Sequence, residues 1–443
     1  MRYYWRQRMK MKKISLAILT MMTLGSSILA GCSSTATTQP AATQSASSST
    51  TTANATNAPT TANATTAEKT VIKIFIPGYE DELWKGLYDG GIKDFEAKNA
   101  NVDVEVIPAG WDEANTKIVS LIQANEAPDV MITGSRSLRQ FAEMGAIEKL
   151  DSYMTDAFKA ERVANVLQTA NINGTQYGIP LAFSSRALYY RTDLMDKAPT
   201  TWDELLATAE KIKSENPSVF GFAIPTDITS GTDEIFNFIY QNGGSATDQA
   251  GKIKLATEAN IKTLEFLKTF NDKGLIPDPV AMTRSKQAPL FQNGELAMFI
   301  SGPWEKKTLD SSIDKYPYGV ALLPAGAKMG ETLVTDSFSI SSQSKHKDLA
   351  FKLIQHMGQF EFQNNYDATI GFFPILKAEE TEARYNDEFL KPFKEMITHG
   401  VAEPQVPVWD TFNAEFVKAV QKVLTGNATA SEALQAAEKE LSN

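Results

Sequence analysis

From residue 71 to residue 132 apolar runs alternate with amphipathic stretches, and that alternation restricts the fold more than any other feature of the chain. Val71-Ile72-Lys73-Ile74-Phe75-Ile76, closed by Pro77-Gly78, reads as a buried strand. Residues 82–99 place Leu83, Leu87, Ile92 and Phe95 at helical spacing, with Gly90-Gly91 as a weak point in the middle. Residues 102–107 alternate as a second strand, 115–125 form a second helix and 128–132 a third strand. This order predicts a layered α/β domain with a mostly parallel sheet. Ligands of such sheets sit beyond the carboxyl ends of the strands. Attention therefore falls on the loops at 77–81 and 133–136 and on the segment after Gly178-Ile179-Pro180-Leu181.

A second α/β stretch runs from Arg186 to about Ala325, with strands at 188–190 and 220–224 and helices starting at Thr201 and spanning 259–271. Residues 414–441 are helical, broken at Gly426, with Thr429 or Ser431 as a new cap. The roughly 370 residues from Thr70 onward exceed what one core usually holds, so two domains are expected.

Before them the chain has a different character. Residues 1–13 carry six basic and no acidic residues, and an apolar run at 14–30 ends in Leu29-Ala30-Gly31-Cys32. That order reads as a secretory signal, and the run falls short of the roughly 20 residues of a spanning helix. Cys32 is the only cysteine, so no intramolecular disulfide forms. Residues 33–68 lack aromatic and large aliphatic side chains; they bury no core and read as a flexible tether spanning roughly 30–35 Å. The formal net charge of −10 disfavours nucleic acid and argues solubility.

A family resemblance rests on motifs in a fixed order. These are Ala127-Pro128-Asp129-Val130, Gly178-Ile179-Pro180, Leu188-Tyr189-Tyr190-Arg191-Thr192-Asp193-Leu194 and Pro199-Thr200-Thr201-Trp202-Asp203-Glu204-Leu205. Phe291-Gln292-Asn293-Gly294-Glu295-Leu296-Ala297-Met298, Ser301-Gly302-Pro303-Trp304 and Ala430-Ser431-Glu432-Ala433-Leu434 follow. Together they resemble the bacterial extracellular solute-binding proteins of family 1, the carbohydrate-importer group that includes maltose-binding protein. Leu29-Ala30-Gly31-Cys32 resembles the lipobox of bacterial lipoproteins, which implies cleavage before Cys32 and its lipidation. The resemblance implies the two-lobed, type II periplasmic-binding-protein fold, with discontinuous lobes joined by a hinge around a ligand cleft. One lobe is expected at 70–181 plus 333–370, the other at 182–332 plus 371–443. It also implies a monomer on the extracytoplasmic face of the membrane of a Gram-positive bacterium, delivering a sugar to integral-membrane ABC permease subunits. No metal or cofactor is implied.

A sugar cleft needs flat aromatic rings for apolar ring faces and carboxylates, amides or Arg for hydroxyls. Trp304, turned out by Ser301-Gly302-Pro303, is the leading platform, against the alternative of a core indole. Tyr79 and Glu80 follow the first strand; Ser135 and Arg136 follow the third, where Arg136 is either a hydroxyl donor or a surface residue. Phe183 and Ser184 lie beside the first expected crossing, and Asp233 and Phe236 open a helix that Asp233 could equally cap. Asp336 marks the second crossing, with Phe372, Phe373 and Trp409 near the third. For this last group packing weighs ahead of ligand contact. Few tryptophans are expected in the cleft, which leaves a small or unusual ligand open.

An enzyme is the rival class. His346, His356 and His399 form no metal spacing and stand by no nucleophile motif, and no local pattern singles out a carboxylate pair. A solute sensor partnering a membrane kinase would read the same lobe closure. Binding of a non-sugar solute is a further alternative, although a cleft for a polyol phosphate would call for more Arg and Lys than these loops show.

Overall fold

The computed structural model describes residues 69–228 and 231–442. The segments read from sequence as a signal and a tether, with Cys32 between them, lie outside the described residues, as do Thr229 and Ser230.

The chain enters as β1 (Thr70–Pro77), whose last four residues are all buried. Asp81 caps α1 (Glu82–Lys98) by accepting from the Leu83 amide at 2.8 Å. The helix runs unbroken through Gly90-Gly91, and the missing Cβ of Gly91 leaves room for the Phe362 ring, which would stand 2.5 Å from that atom. Then come β2 (Val102–Ala109), α2 (Ala114–Gln123), β3 (Val130–Gly134), α3 (Ser135–Glu143) and β4 (Ile179–Ser184).

Strand β5 (Ala187–Arg191) opens a second body. Thr201 caps α4 (Trp202–Glu215), reinforced by Glu204, which accepts from the Thr200 amide at 2.8 Å. The helices α5 (Gly231–Gln241), buried along its whole length, and α6 (Glu258–Asp272) follow. Next are β6 (Met298–Ser301), α7 (Glu305–Asp310) and β7 (Tyr318–Ala321). The long β8 (Glu331–Ile340) returns to the first sheet, followed by α8 (Lys347–Met357), α9 (Phe360–Ile370), α10 (Lys391–Ile397), β9 (Gly400–Ala402), α11 (Trp409–Leu424) and α12 (Ala430–Glu440). Thr429 is the cap of α12: it and Glu432 bond each other's backbone amides at 3.2 and 3.0 Å.

The first sheet is parallel in three of its five strand pairs, as expected for its first three strands, and the antiparallel pairs come from β8. Its order is β9-β8-β3-β1-β2, with β4 also on β8. β1 is parallel to β2 and β3, whereas β8 is antiparallel to β3 and β4. The returning strand escapes local reading because its partners lie far away in sequence. In the second body β6-β5-β7 form a three-stranded antiparallel sheet. The strand expected at 220–224 is only a bridge from Phe220 to Leu296; Gly221 lies so close to α4 that a Cβ would meet the Ala209 Cα at 2.6 Å.

The apolar residues gather into separate cores. One packs Ile72, Phe95, Val130, Phe338 and Ile354; another packs Leu188, Phe236, Leu267, Phe416 and Leu434. Between them the antiparallel β4 and β8 carry the chain out and back. Among the described residues no helix is long and apolar enough to cross a membrane.

Candidate functional site

A cavity of about 950 Å³ lies between the two bodies, beyond the carboxyl ends of β1 and β2. Its walls are aromatic. Trp111, in the turn after β2, rests on Gly78, whose φ of +75° and missing Cβ let the indole nitrogen approach to 2.3 Å of where that atom would stand. Trp84, in the first turn of α1, meets Trp111 edge-on at 5.6 Å and Phe372 at 5.9 Å. On the other side Trp304 lies back over Gly302, where a Cβ would fall 1.9 Å from the ring. The Trp304 indole donates to Glu305 Oε1 at 3.0 Å, and Ser301 Oγ donates to the same oxygen at 2.9 Å. The Arg186 guanidinium stands 5.0 Å over the Trp304 ring, and Phe372 meets it edge-on at 5.9 Å.

The floor is a ladder of alternating charge. Arg136, in the first turn of α3, folds back over Gly134 and binds Glu403 at 2.7 Å and Asp233 at 3.8 Å. Arg284 reaches Asp233 at 3.3 Å and Glu234 at 2.9 Å, and Arg186 reaches Glu234 at 3.0 Å. Burial opposes charge on Asp233, yet Arg136 and Arg284 hold its carboxyl below the ordinary aspartate range. Burial pushes Glu403 upward against the pull of Arg136.

Asp336 sits at the bulge of β8, opposite Gly134 on β3 and Ala182 on β4. Burial raises its carboxyl above the ordinary range, while Arg136 and Arg186 pull it down. Among the described residues its carboxylate accepts no hydrogen bond. Glu331, the first residue of β8, accepts from the amide of Arg186, just before β5, at 2.6 Å and from Ser185 Oγ at 2.8 Å, and burial pushes it up to about 8.

Of the residues expected from sequence, Trp304, Arg136, Ser184, Asp233 and Asp336 line this cavity, as does Phe372. Trp409 lines only an adjoining cavity of about 350 Å³; it is 3% exposed, with Arg136 5.5 Å over its ring. The others stand away from both linings. Tyr79 donates to Asp89, with Lys85 over its ring, and Glu80 is exposed. Ser135 pairs with Ser337 at 2.8 Å, Phe183 packs beside Phe373, and Phe236 is a core ring 5.0 Å from Phe416.

Sequence reasoning missed Trp84, Trp111, Arg186, Arg284 and Glu305, and Trp84 and Trp111 bring the tryptophans on the wall to three. The strand-end rule would have found Trp111-Asp112, which follow β2 after Gly110. Arg284 has no local signal; packing alone brings it to the ladder.

The family described as bacterial extracellular solute-binding protein matches residues 81–359. A binding protein of Brucella abortus (strain 2308) is 30% identical over 345 residues, 75% of this chain and 84% of that one. A maltotriose-binding protein of Pyrococcus abyssi is 24% identical over 316 residues, 69% of this chain and 67% of the relative. Among solved structures, an ABC transporter solute-binding protein from Thermotoga lettingae bound with alpha-D-tagatose superposes with a TM-score of 0.75. It is 26% identical, over 85% of this chain and 99% of that one. A maltose-bound T. maritima protein shares the two-lobed fold at a TM-score of 0.74 and 23% identity, over 84% of this chain and 99% of that one. With a matching family over most of its globular part and two cores flanking one cleft, the chain belongs to the bacterial extracellular solute-binding proteins.

Proposed function

We propose that the cleft captures a sugar or oligosaccharide outside the cell and that closure of the lobes presents it to the permease of an ABC importer. One observation carries this reading: three tryptophans and Phe372 wall a cavity whose floor is a row of carboxylates and guanidiniums. Flat rings match the apolar faces of a pyranose, and charged groups match its hydroxyl rim. At about 950 Å³ the space reaches the upper end of the roughly 300–1,000 Å³ usual for small-molecule sites. An oligosaccharide suits it better than a single ring.

Trp304, Trp84 and Trp111 are the stacking platforms, and Arg136, Ser184, Asp233 and Asp336 the polar contacts. The lobes are 70–181 plus 333–370 and 182–332 plus 371–443, hinged at β4, β8 and the turn at Gly371. The relatives' ligands, maltotriose and tagatose, point the same way. The protein releases its ligand unchanged, acts as a monomer and is held to the extracytoplasmic face of the membrane by lipid on Cys32.

Thermal unfolding of residues 69–443 against neutral mono- and oligosaccharides, amino acids and polyol phosphates tests the reading. A ligand at 100 times its dissociation constant adds about 2.7 kcal/mol of stability, a clear shift in melting temperature. A shift with a glycan is the expected result; shifts confined to amino acids or phosphates would overturn the sugar assignment.

A further inference from the structure

From the charge pairing along the cleft, we infer that it selects uncharged, hydroxyl-rich ligands and rejects those bearing a carboxylate or phosphate. This rests on the capture reading above and adds to it the charge of the substrate.

Nine carboxyl side chains but six cationic ones line the large cavity. The cations on its floor are already committed. Arg136 is taken by Glu403 and Asp233, and Arg284 by Asp233 and Glu234. Arg186 is held by Glu234 and by Ser184 Oγ at 3.1 Å, with its guanidinium against the Trp304 ring. On the far wall Lys306 pairs with Asp310 at 2.6 Å, and Arg384 lies 3.6 Å from Glu379. Lys307 is exposed at the rim, where water and salt screen its charge.

A ligand anion entering this site would lose its hydration without gaining a guanidinium, unless it broke a buried ion pair and left a carboxylate uncompensated. It would also meet Asp336, a half-buried carboxylate with no donor of its own among the described residues. A sugar hydroxyl has the opposite effect. It brings the donor that Asp336 lacks and introduces no net charge.

The test compares matched pairs by isothermal titration on the full chain. Glucose, galactose and mannose and their disaccharides are set against the same sugars oxidised to uronates at carbon 6, and against the 6-phosphates. In the wild type, the neutral member of whichever series binds is expected to bind at least about tenfold tighter than its anionic counterparts, equivalent to about 1.4 kcal/mol. In Asp336→Asn, which keeps the side-chain shape but removes the negative charge, the neutral sugar weakens and the discrimination shrinks toward parity. A uronate or sugar phosphate binding as tightly as its neutral partner would overturn the inference, as would discrimination unchanged in Asp336→Asn. If no sugar of either charge binds the wild type, the capture reading itself falls, an outcome distinct from loss of charge selection alone.

Discussion

Trp304 owes its position to its neighbours. Gly302 leaves the space the ring occupies, Glu305 anchors the indole nitrogen, and Arg186 and Phe372 fix its face and edge. Trp304→Ala is expected to abolish high-affinity sugar binding, measured by titration, while the melting temperature changes little because the ring packs at the edge of the core. Gly302→Ala should act on the same ring from below: its methyl overlaps the indole, so affinity drops while circular dichroism stays native. Normal binding by either variant would remove Trp304 from the site. At the opposite end of the chain, Cys32→Ser is expected to shift the protein from the membrane fraction to the soluble fraction on immunoblots.

At the scale of elements, close packing and the hinge strands govern stability. Gly221 lies against the backbone of α4, and a rigid backbone gives way less readily than a side-chain tip. Gly221→Ala should therefore cost about 1–3 kcal/mol, read as a lower denaturation midpoint with the slope unchanged. Glu331 opens β8 with no exposed surface, and in the folded chain it keeps its proton up to about pH 8 against an ordinary value of 4.5. Between those values the folded state binds more protons than the unfolded one, so the contribution of Glu331 is fully present below pH 4.5 and lost as pH rises toward 8. Melting temperature measured across that window should decline less steeply in Glu331→Gln than in the wild type. This element scale was also the most legible in the sequence. The strands at 71–76 and 102–107 and the helix at 82–99 announce themselves by periodicity, and capping chemistry narrowed the start of the last helix to Thr429 or Ser431, of which the structure uses Thr429. The bridge at Phe220 and the antiparallel pairing of β8 did not, because a distant partner decides whether and how an extended segment joins a ladder.

Across the whole molecule, the bodies are joined by more than the crossing strands. Asp410 on α11 accepts from Asn115 on α2 and, at 2.6 Å, from Gln140 on α3, while the Arg139 guanidinium donates to the Gln405 carbonyl at 3.1 Å. These bonds tie the second core to the first at the end of the cleft near Trp409. Asp410→Ala is expected to loosen that end, seen as a larger ligand-free radius of gyration in small-angle X-ray scattering and a several-fold loss of affinity. An unchanged radius would show that the crossing strands alone set the lobe spacing. The sequence by itself determined the α/β class, the need for two cores and the order of motifs that marks the family, since periodicity, chain length and turn chemistry are local properties. It also pointed to Trp304, Arg136 and Asp233, each placed at a turn or an element end, and to Asp336 inside β8. Tertiary structure alone decided that Tyr79 and Phe236 face away from the cleft, that Trp84 and Trp111 face it, and that Arg186, Arg284 and Glu234 join Asp233 in one ladder. A buried charge is tolerable only where a partner from elsewhere in the chain neutralises it, and those partners are fixed by packing over long sequence separations.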